Sequence, residues 1–128
     1  MPISYERRDD HRLVVLKVEG PYDSNEFVEV MRRHESEGAW AFGTLWDLRQ
    51  MAGRPTTSDL WSFSSAYAHD PQGSSPERGP IAVVTTDDEM YRSACLYAVM
   101  AQPRLQIDVF HQMDEAEAWL ANRLSARE

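Results

Sequence analysis

The sequence is short of almost everything that declares a chemistry. It holds a single cysteine, Cys95, in 128 residues. That excludes an intramolecular disulfide and any cysteine-rich zinc site. It holds one lysine, Lys17, and its 13 basic residues are outnumbered by 21 acidic ones, for a formal charge of -8. A charge of that sign argues against nucleic acid as a partner, which calls for a basic face to displace counterions from phosphates. It argues equally against docking on an anionic membrane. No apolar run approaches the ~20 residues of a membrane span. The start, Met1-Pro2-Ile3-Ser4-Tyr5-Glu6-Arg7-Arg8, lacks the apolar core of a signal peptide, so a cytoplasmic location is expected.

Recognisable catalytic and cofactor motifs are missing too. There is no Gly-x-Gly-x-x-Gly, no Walker loop and no Gly-x-Ser-x-Gly elbow. His11, His34, His69 and His111 form no His-x-His or His-x-x-x-His pair that would set two imidazoles on one metal. Each of the four is expected at the surface or its boundary. The expectation is therefore no metal, no cofactor and no enzyme.

What is present is ordinary for a globular protein: 42% hydrophobic and 27% charged residues. Residues 1–128 have the size of one domain. Residues 3–8 and 12–19 alternate or cluster as two strands, with Asp9-Asp10-His11 as the turn of a hairpin and Gly20-Pro21 closing the second strand. Asp23 and Glu26 have capping-box spacing and open a helix over 24–37, with Phe27, Val30, Met31 and His34 on one stripe. A third strand follows over 41–48, then a loop from Arg49 to Pro55. A second helix starts near Thr57 or Ser58, with Leu60, Phe63, Ser64 and Tyr67 inward. Asp70 to Pro80, with its three prolines and two glycines, is a surface loop.

Ile81 to Thr85 is a buried strand, and Thr86 with Glu89 caps a third helix reaching about Gln102. The inner stripe of that helix is Tyr91, Ala94, Cys95, Ala98 and Ala101. Residues 105–111 form a last strand, and Asp114 with Glu117 caps a fourth helix that turns Ala116, Trp119, Leu120 and Leu124 inward. The order β-β-α-β-α-β-α-β-α predicts an α/β fold: a single five-stranded mixed, mostly parallel sheet with an N-terminal hairpin and about four helices. If the helices share one face, right-handed crossovers give the strand order 1-2-3-4-5.

Two segments carry a resemblance. Leu45-Trp46-Asp47-Leu48-Arg49 resembles the "hhDLR" strand end of small bacterial SpoIIAA-like proteins. Val109-Phe110 with Asp114-Glu115-Ala116-Glu117-Ala118-Trp119-Leu120 resembles their closing strand and "EAxxWL" helix, and Gly20-Pro21 fits as well. The resemblance implies a STAS-like fold, kin to anti-sigma-factor antagonists. In those proteins a phosphorylatable serine opens the helix after the third strand, in an Asp-Ser-Ser-Gly-like turn. The matching stretch here, Arg54-Pro55-Thr56-Thr57-Ser58-Asp59-Leu60, has the hydroxyls but not that pattern.

Asp47 stands near the C-terminal end of a parallel strand, where open α/β sheets place ligands. An aspartate there more often accepts N–H groups from the chain that follows and fixes a turn. Arg49 and Arg54 supply cations for a partner's carboxylate or phosphate. Thr56, Thr57 and Ser58 supply hydroxyls at a helix start, where a phosphate is favoured, although Thr57 or Ser58 can equally serve only as a cap. The aromatics Trp46, Trp61, Phe63 and Tyr67 could line an apolar pocket between the second helix and the sheet, or belong to the core. Two functions follow: a non-enzymatic interaction or regulatory module with a protein partner, itself a possible homodimer, and a small apolar-ligand (lipid-like) binding protein. Catalysis by Asp47 with a histidine brought to it by the fold ranks below both.

Overall fold

The computed structural model describes residues 3–21, 23–36, 42–53, 55, 56, 58, 59, 79–101 and 106–126. Within them the chain forms one five-stranded sheet in the order β1-β2-β3-β4-β5. The strands are β1 (Ile3–Arg8), β2 (Leu13–Pro21), β3 (Gly43–Ala52), β4 (Ile81–Val84) and β5 (Ile107–Phe110). The described helices are α1 (Ser24–Ser36), α2 (Asp88–Ala101) and α3 (Met113–Ala126). The expected helix after Thr57 falls almost wholly outside the described residues, as do Trp61, Phe63 and Tyr67.

The hairpin is where the sequence placed it: β1 pairs antiparallel with β2, from Ile3↔Val18 to Arg8↔Leu13. A short 3-10 turn, Asp9–His11, joins them. Arg12 ends the turn in the left-handed region, at φ 51°, a conformation that costs a side-chain-bearing residue free energy. Three contacts hold it there. Its N–H donates to the Asp9 carbonyl at 3.1 Å, its carbonyl accepts from Gly43 N–H at 2.9 Å, and its guanidinium reaches the Leu124 carbonyl near the end of α3 at 3.3 Å.

The other three pairings are parallel, and alternation along the strands divides the core in two. On the first face Val14, Leu16, Trp46, Leu48, Ile81, Val83 and Val109 meet Val30 and Met31 of α1 and Met90 and Ala94 of α2. On the second face Leu13, Leu45, Ala82 and Val84 meet Ala116 and Leu120 of α3. With both faces covered, β3 is buried at every position from Gly43 to Leu48. Close approach on the second face depends on Gly43, where a Cβ would stand 3.1 Å from a Leu124 methyl.

The helices thus lie on both faces rather than one. The strand order still follows, because α3 comes after the last strand and closes no crossover between strands.

Local details also depart from the pattern. Asp87, not Thr86, caps α2: its Oδ1 accepts from Glu89 N–H at 3.2 Å, while Thr85 Oγ1 accepts from Asp87 N–H at 3.2 Å. Cys95 is half-buried against the first core rather than enclosed by it. His34 is fully buried, against the expectation of a surface histidine. Its place on the inner stripe of α1 sets its Nε2 3.4 Å from the Oγ1 of buried Thr44. The amphipathic helix period decides its burial, and the Thr44 hydroxyl supplies a polar neighbour that sequence distance conceals.

Candidate functional site

The site is assembled midway along β3, level with the end of β4. β4 stops at Val84, opposite Asp47, but β2 and β3 run on together through Pro21↔Ala52. The segment from Arg49 to Ala52, expected as loop, is therefore strand. Gly20 and Pro21, expected to close β2, form its last pairs. The register passes from Lys17↔Asp47 to Glu19↔Gln50, so two residues of β3 oppose one of β2. Such a bulge bends the strand and re-aims its side chains. Nothing in Arg49-Gln50-Met51-Ala52 alternates in a way that announces it.

Asp47 points to the second face and is 4% exposed. Both carboxylate oxygens are engaged by one guanidinium. Arg49 Nε donates to Oδ1 and Arg49 Nη2 to Oδ2, each at 2.9 Å, and the Arg49 N–H adds a bond to Oδ1 at 3.2 Å. A fork of this kind is the strong geometry for a carboxylate. The Arg49 side-chain hydrogen bonds hold the Asp47 carboxyl below its ordinary value, outweighing the burial that would raise it; Lys17 adds a smaller lowering. The carboxylate thus does what the ordinary expectation assigned it, accepting from the backbone that follows. It does so inside a strand, and its partner is the very arginine proposed to meet an external anion.

Beyond the strand, Gly53 turns the chain at φ 77°, a conformation suited to glycine. Pro55 is buried. Thr56 and Asp59 then bind each other's backbone: Asp59 Oδ2 accepts from Thr56 N–H, and Thr56 Oγ1 accepts from Asp59 N–H, both at 3.1 Å. This is a reciprocal capping box. The cap is Thr56, where the sequence favoured Thr57 or Ser58; the three-residue spacing to Asp59 was the available signal. Ser58 is exposed one position before Asp59. Arg54 and Thr57 lie outside the described residues.

An open trough of about 460 Å³ leads away from Asp47 across the half of the second face that α3, among the described residues, leaves open. Its floor includes Val15 and Leu45, its walls Glu6 and Arg8 on β1 and Met113 and Glu117 on α3. The charges on the strands are paired along each strand: Glu6 with Arg8 at 2.7 Å, Lys17 with Glu19 at 3.4 Å, and Asp47 with Arg49. Lys17 and Glu117 are not site candidates by sequence. Only the strand register and the packing of α3 bring them to the site.

Trp46, the described member of the aromatic set, turns to the opposite face. Its ring stacks on Phe27 of α1 with centroids 5.0 Å apart and planes 3° from parallel. It is 8% exposed and belongs to the first core. Among the described residues no group of three or more His, Cys, Asp or Glu side chains is placed to hold a metal ion. Also among them, no helix is long and apolar enough to cross a membrane.

No family model matches this chain, and no curated protein matches it. Solved structures do. One is an uncharacterized protein from the DUF3478 family with a SpoIIAA-like fold, from Shewanella loihica PV-4, at 16% identity and a TM-score of 0.62, over 92% of this chain and 91% of that one. Another is an anti-sigma factor antagonist from Mycobacterium paratuberculosis, at 16% identity and a TM-score of 0.59, over 92% of each chain. At such identity the likeness is one of fold. A hairpin leading into parallel strands, crossed by α1 and α2 and closed by α3, is the SpoIIAA-like, STAS-like fold in this chain.

Proposed function

We propose that this protein is a non-enzymatic, single-domain module of the cytoplasm that works by contact with a protein partner. The observation that carries the reading is the commitment of Asp47. Both its oxygens are held by Arg49, so this carboxylate, buried level with the end of β4, serves as a clasp. What the clasp steadies is the end of β3 and, beyond it, the turn at Gly53 and the capped start at Thr56, which present exposed side chains at Gln50, Ala52, Thr56 and Ser58. The fold shared with an anti-sigma factor antagonist supports the same reading.

The partner is expected to meet this segment, with Arg54 offering a cation and Ser58 a hydroxyl whose phosphorylation would add about two negative charges. The test is a pulldown from the source organism with wild type, Arg54→Ala and Ser58→Glu as baits, each checked by circular dichroism. The expected result is a wild-type partner lost from a folded variant. Folded variants that keep every wild-type partner overturn the reading. Native mass spectrometry of the purified protein separates self-association from a retained small molecule.

A further inference from the structure

We draw no further inference here: the strongest candidate, the open trough on the second sheet face between β1, β2 and α3, has its strand charges paired in Glu6–Arg8, Lys17–Glu19 and Asp47–Arg49, and nothing in the structure shows what covers it.

Discussion

The two faces of the sheet bury their residues on different terms. On the first, α1 and α2 cover a continuous apolar surface that reaches from Ile3 on β1 to Val109 on β5. On the second, α3 covers the middle of the sheet through Leu45, Ala82 and Val84, and the β1–β2 half carries charge instead. Neighbours on β2 show the contrast: Leu16 is fully buried on the first face, while Lys17 is exposed on the second. Hydrophobic burial scales with the apolar area removed from water, so the first face carries most of the stability. The second face trades part of that area for ion pairs, which contribute little where they are exposed. Asp47 is the exception, a buried carboxylate among exposed pairs. Its worth depends on whether Arg49 stays in place.

Substitutions can break this contrast or sharpen it. The largest effect is expected from Leu120→Ala. Leu120, on the inner side of α3, is 1% exposed, and removing a buried leucine costs about 2–5 kcal/mol. An unchanged denaturation midpoint would mean that α3 is peripheral and the second face has no core of its own.

Arg49→Ala comes next. It leaves Asp47 buried without its fork, at a cost of about 1–3 kcal/mol. The same variant has a pH signature. In the wild type the Asp47 carboxyl lies below its ordinary value of 3.8. Its stabilising contribution is therefore complete above the unfolded-state value and is lost as pH falls through the lower folded value. In Arg49→Ala the carboxyl titrates at higher pH, which carboxyl-carbon NMR reads directly. A carboxyl that titrates as in the wild type would show that the fork does not hold Asp47.

Cys95→Ala tests the first face at its margin. The side chain packs against that core while half-buried, so a loss of about 1 kcal/mol is expected in chemical denaturation. A loss as large as that of Leu120→Ala would place Cys95 inside the core. Lys17→Ala should do least. Lys17 and Glu19 are 45% and 62% exposed in their side chains, and the change in stability is expected to stay within about 0.5 kcal/mol. A larger loss would mean that the charged half of the second face carries stability after all.

The boundary between what the residues announce and what they conceal follows the range of the forces involved. The β1–β2 hairpin, α1 with Asp23 before it and the buried run of β4 were legible, because pairing of adjacent segments, capping and apolar period are local properties. So was the strand order, which connection rules constrain. The second face was not. There α3 packs on Leu13 and into the room left by Gly43, both far from it in sequence. The extension of β3 through Ala52 was hidden for a similar reason: the partner backbone of β2, not any preference of Gln50 or Met51, makes it strand. At the site, Asp47 and Arg49 could be named from sequence, but their mutual fork could not. Side chains two residues apart share a face of a strand, as Glu6 and Arg8 do on β1; the fork was hidden because Arg49 reads as loop, whereas β3 runs on through it.

The sheet order has a consequence for how the molecule comes to be folded. Every described strand lies beside its predecessor in the chain, and none of them is inserted between two earlier ones. A chain emerging from the ribosome can therefore add each strand to an existing edge without reopening any pair. The hairpin, with the shortest loop to close, is the natural first step. Until β3 arrives, the apolar edge of β2 stands open to other nascent chains. A delay once β2 has emerged from the ribosome and before β3 has should therefore raise aggregation during translation more than an equal delay after β4 has emerged, when the sheet already has four of its five described strands.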